Sequence, residues 1–205
     1  MKIEGRGLRK AFKEKVLFEN LNFMLDSGQL VALYGESGCG KTTLLNMIAQ
    51  IEPYEGKILF DGQVVKKNQL RRFRSKELSM IFQNYGLIED ETVEANIKLM
   101  DRRYSRKEWK KKIDEVLKKV NLEGYEKRKI VECSGGEQQR VAIAKSLLKS
   151  SNIILADEPT ASLDDENKKV VMKLFRKIAD DGKIIVVVTH DKEVLGYCDA
   201  IIEIA

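Results

Sequence analysis

The stretch GESGCGKTT, Gly35–Thr43, combines spaced glycines, a lysine and adjacent hydroxyls, a set suited to holding a polyphosphate. Gly35, Gly38 and Gly40 let the backbone curl so that its N–H groups, those of Glu36, Ser37 and Cys39 among them, point at phosphate oxygens. A helix opening near Lys41 adds its positive end. Lys41 is placed to reach the β- and γ-phosphates, and the Thr42 hydroxyl, with Thr43 beside it, to coordinate Mg2+. The spacing G-x-x-x-x-G-K-[ST] carries this meaning between a strand and a helix, and here QLVALY precedes it and LLNMIAQ follows. Such a loop names no reaction by itself. A guanine-reading N-K-x-D is missing, since the nearest candidate, NKKV at Asn167–Val170, lacks the aspartate.

A second chemical cluster is IILADEP, Ile153–Pro159, an aliphatic run that ends in two acids. A strand this apolar is buried, so its last carboxylates emerge at the carboxyl edge of the sheet, where the phosphate loop also sits. Asp157 is placed there to hold Mg2+ through water, and Glu158 to polarise an attacking water. The third cluster is CSGGEQQR, Cys133–Arg140, directly before the helical run VAIAKSLL. Ser134 as N-cap and Glu137 three residues on form a capping box. That leaves Gly135 and Gly136, since glycine costs a helix about 1 kcal/mol relative to alanine. A bare positive helix end that receives an anion is the functional reading of both.

These groups need elements to carry them. VLFENLNFML alternates with period two, QLVALYG and LSMIFQ read as strands, and GKILFDGQ is a strand ending in an Asp-Gly turn. From about Asn84 to Lys149 the chain reads as helical. Within it SRKEWKKKIDEVLKKV has its own capping box at Ser105 and Glu108. Its Trp109, Ile113, Val116, Leu117 and Val120 share one face, and the lysines form a solvated one. The strand NIILADE, a helix over Asp164–Asp180, the strand KIIVVVTH and a terminal strand AIIEIA complete the order. Strands alternating with helices imply an α/β fold with a largely parallel sheet, and the helical middle reads as an inserted subdomain.

Composition narrows the class. A chain of 205 residues suits a single domain, here 1–205, and is long enough to bury a real core. A net charge of +5 is too mild to imply nucleic acid as a partner. The longest aliphatic run, Ile184–Val188, falls far short of the roughly 20 apolar residues of a membrane helix. The opening residues have no apolar signal region. Three scattered cysteines, Cys39, Cys133 and Cys198, form neither a disulfide framework nor a zinc pattern, as expected of a reduced cytosolic protein.

Taken together, the motifs resemble those of the nucleotide-binding domain of ABC-type ATPases over essentially the whole chain. GESGCGKTT is similar to its Walker A loop and SGGEQQRVAIAKSLL to its signature segment. IILADEPTASLD is similar to Walker B plus the D-loop, IFQ with Gln83 to the Q-loop, and VVVTHD with His190 to the H-loop. The resemblance implies a RecA-like P-loop NTPase core with an N-terminal antiparallel β subdomain and an inserted α-helical subdomain at about 84–149. It implies that ATP and Mg2+ bind, with Phe12 stacking on adenine, Gln83 joining Thr42 and Asp157 around the metal, and His190 contacting the γ-phosphate. It also implies a head-to-tail homodimer around two ATP, in which Ser134, Gly135, Gly136, Glu137 and Asp164 meet the nucleotide held by the second copy. Hydrolysis would then release the pair.

Departures from the family pattern are Cys133 in place of leucine, Cys39 inside the loop as a small neutral residue, and Lys145 in place of arginine, which loses bidentate bonding. The chain runs about fifteen residues past His190, so no appended regulatory domain is expected. A separate transmembrane permease subunit is expected to dock beside the Q-loop, where NYGLIEDETVEANIKLM places Tyr85, Leu87, Ile88, Val93 and Ile97. That implies a cytoplasmic protein, peripheral on the inner face of the cell membrane. FQNYGLIEDETVEANI is most similar to the ATPases of macrolide, lipoprotein, bacteriocin and antimicrobial-peptide export or resistance. The alternative is an ATPase that signals mechanically through its membrane partner, for instance to cell-wall hydrolases, and moves no substrate.

Overall fold

The structure is a computed structural model and describes residues 1–13, 15–100 and 104–204. Ala205 of the expected terminal strand and residues 101–103 of the expected helical middle lie outside the described residues. In chain order the first elements are β1 (Lys2–Phe12), β2 (Lys15–Asp26), β3 (Leu30–Tyr34), α1 (Lys41–Ile48) and β4 (Glu55–Phe60). Next come α2 (Leu70–Lys76), β5 (Leu78–Ile81), α3 (Val93–Lys98), α4 (Arg106–Lys119) and α5 (Gly135–Leu148). The chain closes with β6 (Ile153–Asp157), α6 (Asp165–Asp180), β7 (Ile184–Thr189), α7 (Lys192–Leu195) and β8 (Ala200–Glu203).

Two sheets form. One is three-stranded and antiparallel, in the order β2-β1-β4, and the other is five-stranded, in the order β5-β6-β7-β3-β8. Every pairing in the larger sheet is parallel. The near-continuous aliphatic sequences of β3, β6 and β7 follow from this, because helices and the smaller sheet cover both faces. Alternate residues supply the two faces. Leu30, Ala32, Ile154, Ala156, Ile185 and Val187 pack with α3–α6. Their neighbours Val31, Leu33, Ile153, Leu155, Ile184 and Val186 pack with α1 and with Ile3, Leu25 and Ile58 of the antiparallel sheet.

Register then assembles the site. Tyr34 pairs with Thr189, Asp157 with Val188, and Ile81 with Ala156. The residues that follow, Gly35, Glu158, His190 and the segment reaching Gln83, therefore leave the sheet along one carboxyl edge.

Three parts differ from the sequence expectation. KIEGRGLRKAF, unread as a strand, forms β1. Its register shifts between Gly5 and Leu8 and again before Lys10, so the buried Ile3, Gly5, Leu8 and Lys10 break a strict period of two. Buried Lys10 is paired, with Glu52 at 2.6 Å and the Pro53 carbonyl at 2.8 Å. Second, the middle is not helical throughout. The fully buried Asn96 accepts from Ile88 N–H at 2.7 Å and donates to the Ile88 carbonyl at 3.0 Å, which holds residues 84–92 as turns. That loop bonds in turn to the segment before α5, where Ile130 N–H donates to the Glu91 carbonyl at 3.0 Å. Third, the short α2 and α7 each bury a single residue, Phe73 and Val194, too little to leave a readable period. The expectation for α4 holds: Ser105 and Glu108 form its capping box, and Trp109, Ile113, Val116, Leu117 and Val120 are buried.

Candidate active site

The loop between β3 and α1 borders an open cleft of about 980 Å3 whose walls include Gly35, Glu36, Ser37, Gly38 and Cys39. Its glycines are demanded by the backbone. Gly35, Gly38 and Gly40 have φ of 156°, 80° and 111°, in the left-handed range that side chains disfavour. A Cβ on Gly35 would also stand 2.1 Å from the Ile204 carbonyl oxygen of the chain end that lies against it. Lys41 is buried, and its Nζ donates to the carbonyls of Gly35 at 2.8 Å and Glu36 at 2.6 Å, inside the curl of its own loop. Thr43 is half-buried behind it on α1.

The end of β6 brings the acids to this loop. Thr42 Oγ1 donates to Asp157 Oδ1 at 3.0 Å. Burial pushes the Asp157 carboxyl above its ordinary range, and the neighbouring Glu158 charge adds to the effect; the Thr42 bond and Lys41 oppose it without prevailing. Glu158 turns out of the strand in a left-handed conformation, φ 45°, with its N–H bonded to the Val188 carbonyl at 3.2 Å. Its Oε1 lies 3.3 Å from His190 Nδ1. A base candidate and its orienting partner thus share the edge with the phosphate loop. His190 lines the main cleft as well.

The signature segment stands apart from that cleft. Ser134 caps α5, accepting from Glu137 N–H at 3.3 Å, while Ser134 N–H donates to Glu137 Oε2 at 2.8 Å. Burial raises the Glu137 carboxyl, but bonds from Tyr125 at 2.6 Å and from Ser134, with the Arg128 charge, hold it below the ordinary range. The carboxylate is therefore taken up by its own chain. The two glycines separate here. A Cβ on buried Gly136 would stand 2.2 Å from Asn167 Oδ1, so its bareness serves the packing of α5 on α6. Exposed Gly135 has no such neighbour: a Cβ there would make ordinary contacts, 3.6 Å to Tyr85 Oη and 3.7 Å to Leu163 Cδ2. Asn167 also holds Asp164, the N-cap of α6. Its backbone N–H and its side chain each bond that carboxylate at 2.8 Å, and together they keep Asp164 below its usual range.

A family model described as ABC transporter matches residues 18–161. The chain belongs to the ABC transporter family. It is an ABC-type ATPase domain, and its five-stranded parallel sheet with the flanking antiparallel sheet is the fold of that family's cassettes. It is 38% identical over 194 residues to the macrolide export ATP-binding/permease protein MacB of Mannheimia succiniciproducens, covering 92% of this chain and 30% of that one. It is 36% identical over 196 residues to the Fe(3+) ions import ATP-binding protein FbpC of Escherichia coli O157:H7, covering 93% of this chain and 55% of the other. The chain thus spans from 30% to 55% of the length of these relatives. Among solved structures, the dimeric bacterial ABC transporter cassette MJ0796 superposes with a TM-score of 0.85 at 34% identity, covering 98% of this chain and 94% of that one. The same cassette is also known in a post-hydrolysis state bound to ADP and Pi, with a TM-score of 0.84 at 33% identity over 98% of this chain and 94% of that one.

Within this ABC-type domain the edge of the sheet gathers Gly35–Thr42, Asp157, Glu158 and His190. Gln83 is exposed two residues beyond β5 and, among the described residues, bonds to neither Thr42 nor Asp157. Phe12 does not wall the cleft. It is half-exposed at the tip of the β1–β2 hairpin with Lys10 Nζ 4.4 Å over its ring, and the wall nearest the loop is Lys15, Val16 and Leu17. Cys133 is a buried small apolar residue of the core, and Lys145 Nζ donates to the Gly86 carbonyl at 2.7 Å. Of the residues named for docking, Val93 and Ile97 are fully buried core, Leu87 packs on that core, and Ile88 is exposed. Asn167 went unread, although it stands three residues past Asp164, the spacing of a helix cap.

Proposed function

We propose that this chain is the ATP-hydrolysing subunit of an ABC transporter, pairing head-to-tail with a second copy around two ATP and driving a separate membrane subunit. Gly135 carries the reading. It weakens the start of α5, nothing among the described residues requires it, and it lies at a capped, exposed helix N-terminus outside the walls of the phosphate cleft. Its reason is an anion brought by another molecule, and the second copy's ATP supplies one.

In that pair the phosphate loop holds the polyphosphate by its N–H groups, and Lys41 exchanges two carbonyls for phosphate oxygens. Thr42 and Asp157 are hard oxygen donors already in contact and fit Mg2+, which is held by one or two carboxylates plus substrate phosphates and, when bound, neutralises phosphate charge. Glu158 takes the proton of a water whose oxygen bonds to the γ-phosphorus. The bond to the β–γ bridging oxygen breaks, and its electron pair leaves with ADP. His190 orients Glu158 and reaches the γ-phosphate.

A membrane partner is expected at a groove of about 320 Å3 where Ile51, Phe82 and Met100 are exposed beside the Q-loop. Among the described residues no helix is long and apolar enough to cross a membrane, so the chain would lie on the inner face of the membrane through that partner. Export of, or resistance to, peptides is our reading of the task. It rests on FQNYGLIEDETVEANI and the likeness to a macrolide exporter, and copurification with an identified partner tests it. Glu158→Gln tests the ATPase itself. ATP binding should persist and turnover should fall by roughly 10²–10⁴, with an ATP-dependent dimer trapped on size-exclusion chromatography. Normal turnover in the variant, or no association with ATP, contradicts the reading.

A further inference from the structure

One side chain joins the Q-loop to both elements that face outward. Tyr85 follows Gln83 by two residues, and its Oη lies 2.7 Å from Ser162 Oγ, in the D-loop before α6. The same Oη stands 3.6 Å from the point a Cβ on Gly135 would occupy, and Leu163 Cδ2 closes the other side at 3.7 Å. The ring packs against the core shared by α3–α6. Its backbone is left-handed, φ 60°, a conformation aromatic residues rarely adopt. The following residue is pinned as well, since Lys145 of α5 donates to the Gly86 carbonyl at 2.7 Å.

We propose that Tyr85 is a positioning residue whose hydroxyl, through Ser162, fixes the D-loop against Gly135 at the start of α5. A displacement of Gln83 then reaches the D-loop and the signature segment together. Packing alone does not ask for this hydroxyl, because a phenyl ring fills the same space against the core. What the hydroxyl adds is the bond to Ser162, between segments 77 residues apart in the chain. The inference rests on the head-to-tail reading, in which both segments meet the nucleotide of the second copy.

The test is a cycle of Tyr85→Phe, Ser162→Ala and the double variant, read by melting temperature, ATP affinity, kcat and KM. Losing one hydrogen bond corresponds to about a threefold to tenfold effect. Each single variant should lose that factor in kcat and in ATP-dependent association, with KM and ATP affinity unchanged and the melting temperature lowered by a few degrees at most. The double variant should be no worse than the worse single, and Ser162→Thr, which keeps a hydroxyl, should recover the rate. Unchanged kcat in Tyr85→Phe, multiplied losses in the double variant, or a melting-temperature drop well beyond the worth of one hydrogen bond overturns the inference. If the parent chain neither associates nor hydrolyses ATP, the head-to-tail reading fails and the inference with it. If the parent does both and Tyr85→Phe matches it, the inference alone fails.

Discussion

The glycines of the phosphate loop and those of the signature segment look alike in sequence and differ in physical cause. Gly35, Gly38 and Gly40 sit at positive φ, and Gly35 also abuts the Ile204 carbonyl, so this chain alone requires them. Gly136 is required too, by Asn167 of α6. Gly135 is in ordinary helical conformation, exposed, with room for a side chain. Where a fold needs a glycine, the constraint can be found among its own atoms. A glycine that the fold does not need points to something that approaches from outside. The phosphate loop is thus complete within one chain, whereas the signature segment, on the head-to-tail pairing proposed above, awaits a second copy.

The largest expected effect separates the halves by complementation. Lys41→Ala removes a charged hydrogen bond worth about 1.5–3 kcal/mol, so ATP affinity should drop at least tenfold. Gly135→Asp sets a carboxylate where an approaching phosphate would rest. It should leave ATP binding by the single chain intact while ATP-dependent association and hydrolysis are lost. Mixed together, the two variants form one composite site with an intact loop and an intact signature. Association above that of either variant alone, measured by size exclusion with saturating ATP, is the expected result. Equal association in the mixture and the separate variants would place Gly135 outside any site shared between copies.

A smaller effect distinguishes the adjacent glycines. Gly136→Ala forces Asn167 away from Asp164, to which it makes two bonds of 2.8 Å, and from Arg140 Nη1 at 3.3 Å. Overpacking of this kind costs about 1–3 kcal/mol, and each kcal/mol moves the melting temperature of a domain this size by roughly 2–4 °C. Gly135→Ala should leave the melting temperature equal or slightly higher, since alanine favours a helix, and should weaken only ATP-dependent association. A parallel loss of stability in both variants would erase the distinction between them.

The determinants that could be read in the sequence are those that act over a few residues. The phosphate loop, the acids ending β6 and the capping boxes at Ser105 and Ser134 are each written within a turn or two of chain. The periodicity of α4 is likewise local. What escaped depends on burial or on partners far along the chain. Asn96 shapes the loop before α3 because it is buried there, Asn167 reaches Gly136 across 31 residues, and Tyr85 reaches Ser162 across 77. Phe12 illustrates the same limit. An aromatic near the loop was legible, but the hairpin turn at Lys13, φ 52°, and the cover from Lys10 decide where its ring lies. β1 escaped for a different reason, since its bulges reset the alternation that a period of two relies on.

The smallest effect concerns what the complete half of the site costs the fold. Burial first, and then the Glu158 charge, hold the Asp157 carboxyl above its ordinary value of 3.8. A carboxyl raised in this way binds its proton more tightly in the folded chain than in the unfolded one. Stability therefore falls as pH rises from 3.8 through the raised folded value, and the loss is complete above it. Asp157→Asn keeps an oxygen that can accept from Thr42 and removes the charge, so at neutral pH the variant should melt higher, by roughly 2–4 °C for each kcal/mol recovered. The two proteins should converge as the pH is lowered toward 3.8. The variant should lose Mg2+-dependent hydrolysis, and Mg-ATP should raise the parent's melting temperature more than its own. Gly135 costs the same fold little beyond helix propensity, so no substitution there should produce a pH-dependent gain. A variant at Asp157 that melts at or below the parent at neutral pH would show that Thr42 and Lys41 offset the burial, and would remove this asymmetry between the two halves.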